Sequence, residues 1–156
     1  MNDVLEWVEK AAIENLRYHL ASTDTLAKEA NLTLTILLAA LSAAFSYVLA
    51  NPTLRAAAIV MTLYLFGLCL LLVSKCLMIE EVPSPTNEPR NLLQDGYELD
   101  ALARAELKNI QVRIDQAALR NTNTALWLNR VRIGAVLTPV VFVVSAFAAA
   151  VYCRGG

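Results

Sequence analysis

Residues 56–79 read AAAIVMTLYLFGLCLLLVSKCLMI, and this stretch decides the fold. As a helix rising 1.5 Å per residue it is long enough to cross the roughly 30 Å hydrocarbon layer of a bilayer. Between Ala56 and Ser74 only Thr62, Tyr64 and Ser74 are polar, and the one charge of the run, Lys75, lies close to its end. A buried helix of a soluble bundle usually keeps a polar face; this one has none. Two further runs match it, Asn31–Ala50 and Ile133–Cys153, and neither contains an acid or a base. The three runs account for a hydrophobic content of 57%, above the apolar share of an ordinary soluble domain. The expected fold class is therefore an all-α membrane protein with three transmembrane helices.

Outward from these runs, residues 1–30 read as an amphipathic helix. Leu5, Val8, Ala12, Leu16, Leu20 and Ala27 recur near the helical period, while Glu6, Glu9, Glu14, Arg17 and Lys28 fall elsewhere. This helix either runs straight into the first span or breaks at Ser22-Thr23-Asp24, whose side chains compete for backbone hydrogen bonds. About 30 acid-rich residues ahead of the first apolar run do not fit a cleavable leader. Residues 31–79 form a transmembrane hairpin, with spans at about 31–50 and 56–79, because Asn51-Pro52-Thr53-Leu54-Arg55 leaves room only for a tight turn. Residues 80–91, with prolines at 83, 85 and 89, read as a solvated linker.

Residues 92–131 read as a second amphipathic helix. Leu99, Ala103, Leu107, Ile110, Ile114, Ala117, Asn121, Ala125 and Leu128 form its stripe, with Arg104, Lys108, Arg113 and Arg120 outside it as candidates for contact with a cytosolic partner. The absence of a breaker from Tyr97 to Arg132 makes this helix continuous with the third span, 132–153, with a kink at Pro139. Residues 154–156 are a short outer tail.

Basic residues set the orientation. Of the 13 Lys and Arg, only Arg55 and Arg154 fall on the side of the short turn and the C-terminus, so that side is outside and the N-terminus is cytoplasmic. Lys75, Trp127, Arg130 and Arg132 mark the inner membrane boundary, and Tyr47 and Tyr152 the outer one. All 14 acids share the cytoplasmic side, which confines recognition of soluble partners to the cytosol.

The chemistry-bearing residues are few. His19 is the only histidine, and no catalytic triad, metal-ligand or phosphate-loop spacing is present. Catalytic, metal and cofactor sites are accordingly not expected, and the chain reads as a non-enzyme. A net charge of −1 argues against nucleic acid as a partner. Cys69, Cys76 and Cys153 read as packing residues in the spans. The spans lack acids that could couple ion or proton transport. They do carry small and hydroxylated stripes: Asn31, Thr35, Ala39, Ser42 and Ser46 in the first, opposite Leu34, Leu38, Leu41, Phe45 and Leu49; Ala58, Thr62, Cys69 and Cys76 in the second; and Gly134, Thr138, Ser145, Ala149 and Tyr152 in the third. Close helix packing and the lining of a narrow pore between subunits are both open readings of these stripes. The apolar stripe of 92–131 calls for cover by the N-terminal helix or by neighbouring copies, so a homo-oligomer in the lipid bilayer is expected.

Two stretches, Ser22-Thr23-Asp24-Thr25-Leu26-Ala27-Lys28-Glu29-Ala30 before the first span and Asn87-Glu88-Pro89-Arg90-Asn91-Leu92 opening the helical segment, sit in an order of elements that resembles small bacterial membrane effectors of antiphage defence. The similarity is to SLATT-type two-span effectors and to the transmembrane effectors of cyclic-pyrimidine signalling. It is architectural, brings over no ligand-binding residue, and departs at the third span. It implies a bacterial inner-membrane protein with its C-terminus periplasmic or extracellular, whose oligomer permeabilises or depolarises the membrane when triggered from the cytosol. A non-conducting anchor for a cytosolic partner protein is the competing expectation.

Overall fold

The computed structural model describes residues 3–50, 54–78 and 98–154, with side chains for 4–50, 54–78 and 98–151. Among these residues all secondary structure is helical. Helix α1 spans Asp3–Ala50, a stretch without glycine or proline and rich in the helix formers Ala and Leu. It does not break at Ser22-Thr23-Asp24. The Thr23 hydroxyl lies 3.0 Å from the His19 carbonyl and the Thr25 hydroxyl 3.0 Å from that of Ala21, so these side chains bond back onto the helix and leave it intact. Helix α2 spans Arg55–Leu72 and opens into a π-helical turn, Val73–Leu77, closed by the Met78 N–H on the Val73 carbonyl at 3.0 Å.

Helix α3 spans Leu99–Val136 and α4 spans Thr138–Arg154, with a 45° bend between them. The bend has a local cause. Pro139 has no N–H for the Ala135 carbonyl and disfavours helical backbone at Thr138 before it. The ladder resumes with Val141 N–H on the Leu137 carbonyl at 3.1 Å. The expected continuation of the long helix into a third apolar run thus takes the form of two helices meeting at a kink. The turn residues 51–53, the linker 80–91, the helix start at 92–97 and the tail residues 155–156 lie outside the described residues.

The chain divides into two compact units, to both of which α1 and α3 contribute. The first comprises 1–26 and 79–123. Its core is Leu16, Ile110, Ile114 and Ala117, with Ala12, Ile13 and Leu20 against them. Full burial of Leu16 is worth about 1.5–3 kcal/mol. Asn121 closes this seam at 8% exposure. Its Nδ2 donates to the His19 carbonyl at 2.8 Å, and its Oδ1 lies 2.7 Å from the Thr23 hydroxyl, whose single proton is shared between that oxygen and the His19 carbonyl. Leu99, the first residue of the expected stripe, is 68% exposed and stands off the seam.

The second unit comprises 27–78 and 124–156. Ala30, Thr33, Leu37 and Ala44 of α1, Ala57, Ala58, Leu65, Leu68, Cys69 and Leu72 of α2, and Leu128 and Val131 of α3 are its buried residues. Helix α2 packs along α4. Close approach is set at Gly134, where a Cβ would stand 2.9 Å from Leu68 Cδ2 and 3.4 Å from the Tyr64 hydroxyl, and Tyr64 donates to the Gly134 carbonyl at 2.8 Å. Among the described residues two helices are long and apolar enough to cross a membrane, or three if the bent α3–α4 pair counts as one span. The unit's surface carries Ile36, Phe45, Leu49, Leu63, Val143 and Phe147 at 56% exposure or more, and so much apolar surface is suited to lipid, not water.

Candidate functional site

Within the second unit, α1 presents two opposed faces. At 100° per residue, Ala30, Thr33, Leu37 and Ala44 point to one side, and these are the residues buried in the chain's own packing. Asn31, Thr35, Ala39, Ser42 and Ser46 point to the opposite side and are all exposed. The small, hydroxylated face of the first span is therefore not what packs inside this chain. Its hydroxyls bond back along the helix: Thr35 to the Asn31 carbonyl at 3.0 Å, Ser42 to Leu38 at 2.9 Å and Ser46 to Ser42 at 2.9 Å. Each donor is satisfied, while the oxygens and the Asn31 amide face outward. Ser42 and Ser46 also border a groove of about 440 Å³ with Thr62, Leu63 and Phe66 of α2.

The stripes of the other two apolar runs behave differently. Ala58 and Cys69 are buried, Thr62 donates to the Ala58 carbonyl at 2.8 Å, and Gly134 and Ser145 are half-buried, the Ser145 hydroxyl on the Val141 carbonyl at 2.7 Å. These small residues lie within the unit, where they let backbones approach. Thr138 Oγ1 is buried without a hydrogen-bond partner. The carbonyl four residues before it, Gly134, already accepts from Leu137 N–H at 3.1 Å and from Tyr64. Thr138 lines an apolar cleft of about 650 Å³ between α1, α2 and α4, bounded also by Leu37, Ala44, Tyr47, Leu65 and Phe142. Tyr47 meets Phe142 edge-on with ring centres 6.4 Å apart. Tyr152 lies outside the described side chains.

The basic residues expected at the boundary converge in two groups. Arg132 reaches α1, with NH1 3.1 Å from a Glu29 oxygen and Nε 3.3 Å from the Thr33 hydroxyl, which itself donates to the Glu29 carbonyl at 2.8 Å. Both charged side chains are more than 40% exposed, so the ion pair adds at most about 1 kcal/mol, and its value is in aligning α3 with α1. Lys75 and Arg130 instead flank Trp127, at 5.7 Å and 4.8 Å from the ring centre. The residue types were readable from sequence; the convergence on one ring was not, since Lys75 arrives from the π-helical turn after α2.

In the first unit, Arg104 and Lys108 are exposed, Arg120 is half-buried, and Arg113 lies 3.7 Å from Glu106. No cluster of three or more His, Cys, Asp or Glu suited to a metal ion occurs among the described residues. The arrangement offers helix-packing faces, a hydroxylated surface and a basic aromatic patch. Comparison of this chain with known protein families, with curated proteins and with solved structures gives no match.

Proposed function

We propose that this chain is a three-span membrane protein, N-terminus cytosolic, that assembles as a homo-oligomer in a bacterial inner membrane and opens or perturbs the bilayer when its cytosolic helices are engaged. The observation that carries this reading is the outward face of α1. Leucine and phenylalanine suit lipid, whereas Asn31, Thr35, Ala39, Ser42 and Ser46 gain from a neighbouring helix or from water. That face lies opposite the one used in intrachain packing, so a ring of copies would place it between subunits or around an axis. The orientation rests on the basic-residue asymmetry, and the link to antiphage defence on the architectural resemblance. Conductance of reconstituted vesicles tests the proposal. Ion flux that falls in Ser42→Leu/Ser46→Leu while the protein still inserts supports it. Induced expression that leaves membrane potential and growth unchanged, even with the genomic neighbours and a triggering infection supplied, sinks it.

A second reading has its own observation. On the first unit, Trp7, Tyr18 and Leu119 are 70%, 71% and 65% exposed, and aromatic residues of this kind are enriched in protein interfaces. An anchor that holds a soluble partner would use them. Stoichiometric recovery of such a partner with an otherwise monomeric chain favours the anchor over the oligomeric effector.

A further inference from the structure

Resting on the membrane reading above, we propose that Lys75, Trp127 and Arg130 form a site for the phosphate of an anionic phospholipid in the cytosolic leaflet. The two cations come from different elements, Lys75 from the π-helical turn and Arg130 from α3, and both sit over the same half-buried ring. Their distances to that ring keep their charges at most about 10.5 Å apart, close to one Debye length at 0.1 M salt. They repel, and no carboxylate among the described residues neutralises either of them. Glu29 is the only acid in the sequence of this unit and it pairs with Arg132; neither Lys75 nor Arg130 has a carboxylate partner among the described residues.

A phosphodiester supplies what is missing. It carries one negative charge and two free oxygens, which match the ammonium of Lys75 and the forked guanidinium of Arg130. Trp127 supplies the flat, amphipathic body that settles at headgroup level, and its ring holds both cations by cation–π attraction before a lipid arrives. The patch lies at the end of an apolar helix, which the membrane reading puts beside the headgroup region. The Cys76 thiol faces the Thr124 carbonyl at 3.8 Å, so a bound phosphate would join the end of α2 to α3 where they already touch.

The test uses the full chain carrying Trp7→Phe, which leaves Trp127 as the only tryptophan, reconstituted in phosphatidylcholine mixed with phosphatidylglycerol. One lipid at a time carries brominated acyl chains, and quenching of Trp127 gives the relative association of each. About fivefold per basic residue predicts roughly a thirty-fold preference for phosphatidylglycerol. Lys75→Gln/Arg130→Gln abolishes it, Lys75→Arg retains it, and the charge-matched Lys10→Gln/Arg17→Gln retains it. Equal quenching by both lipids overturns the site while leaving insertion intact. Absence of quenching by either lipid overturns the membrane reading with it. Trp127 emission that shifts with inorganic phosphate but not with chloride of equal ionic strength, with no preference for phosphatidylglycerol, assigns the patch to soluble phosphate and overturns the lipid site.

Discussion

Replacing each of two helical glycines with alanine has opposite expected signs, and the difference follows from what a new methyl group would meet. A helix-interior glycine costs about 1 kcal/mol relative to alanine. At Gly67 a Cβ meets nothing within 4 Å, so Gly67→Ala should stabilise by about 0.5–1 kcal/mol. At Gly134 the Cβ would stand 2.9 Å from Leu68 Cδ2, where carbon atoms prefer about 3.5–4.0 Å. Leu68 must retreat, and at 8% exposure it has little free space to enter. Overpacking of this kind costs about 1–3 kcal/mol. Loosening of the Tyr64 bond to the Gly134 carbonyl adds about 0.6 kcal/mol in a membrane setting. Against the propensity gain, Gly134→Ala should be less stable by about 0.6–2.6 kcal/mol, a factor of about 3–80 in the unfolding equilibrium. Titration with denaturing detergent in mixed micelles, followed by circular dichroism, reads both variants. Shifts of the same sign and size would refute the packing of α2 on α3 and α4 described here.

Other expectations are equally direct. Leu16→Ala should cost about 2–5 kcal/mol through loss of the buried contact with Ile110 and Ile114, whereas Tyr18→Ala, at a 71% exposed position, should stay within about 0.5 kcal/mol; urea unfolding of the two variants makes the comparison. Asn121→Ala should cost about 1–3 kcal/mol, since it strips the Thr23 and His19 groups of a buried partner, and hydrogen exchange near His19 should rise. Pro139→Ala restores an N–H for the Ala135 carbonyl, so the distance between spin labels at Asn129 and Val151 should lengthen as the 45° bend relaxes; an unchanged distance would assign the bend to packing.

The long apolar helices were legible because hydrophobic length is a one-dimensional property: residues 56–79 announce a helix long and apolar enough to cross a membrane without any partner. The seam of the first unit was legible for a related reason, since Leu16, Ile110, Ile114 and Ala117 keep a helical period along their own segments. The packing face of α1 in the second unit was harder to see. Ala30, Thr33, Leu37 and Ala44 continue the three- and four-residue steps of Leu16, Leu20, Thr23 and Ala27. That continuation was the available signal, but a run with no charged residues shows no polar contrast to reveal it. The bond from Tyr64 to Gly134, the reach of Arg132 to Glu29 and Thr33, and the convergence of Lys75 and Arg130 on Trp127 join residues far apart in sequence. They depend on helix register across helices, which local periodicity does not encode.

Electron microscopy of the lipid-reconstituted particle decides whether the exposed small face of α1 meets other copies of this chain. Assembly through that face should give a closed ring with Asn31, Thr35, Ala39, Ser42 and Ser46 at subunit contacts or around the central axis. A monomer with lipid against that face would contradict it.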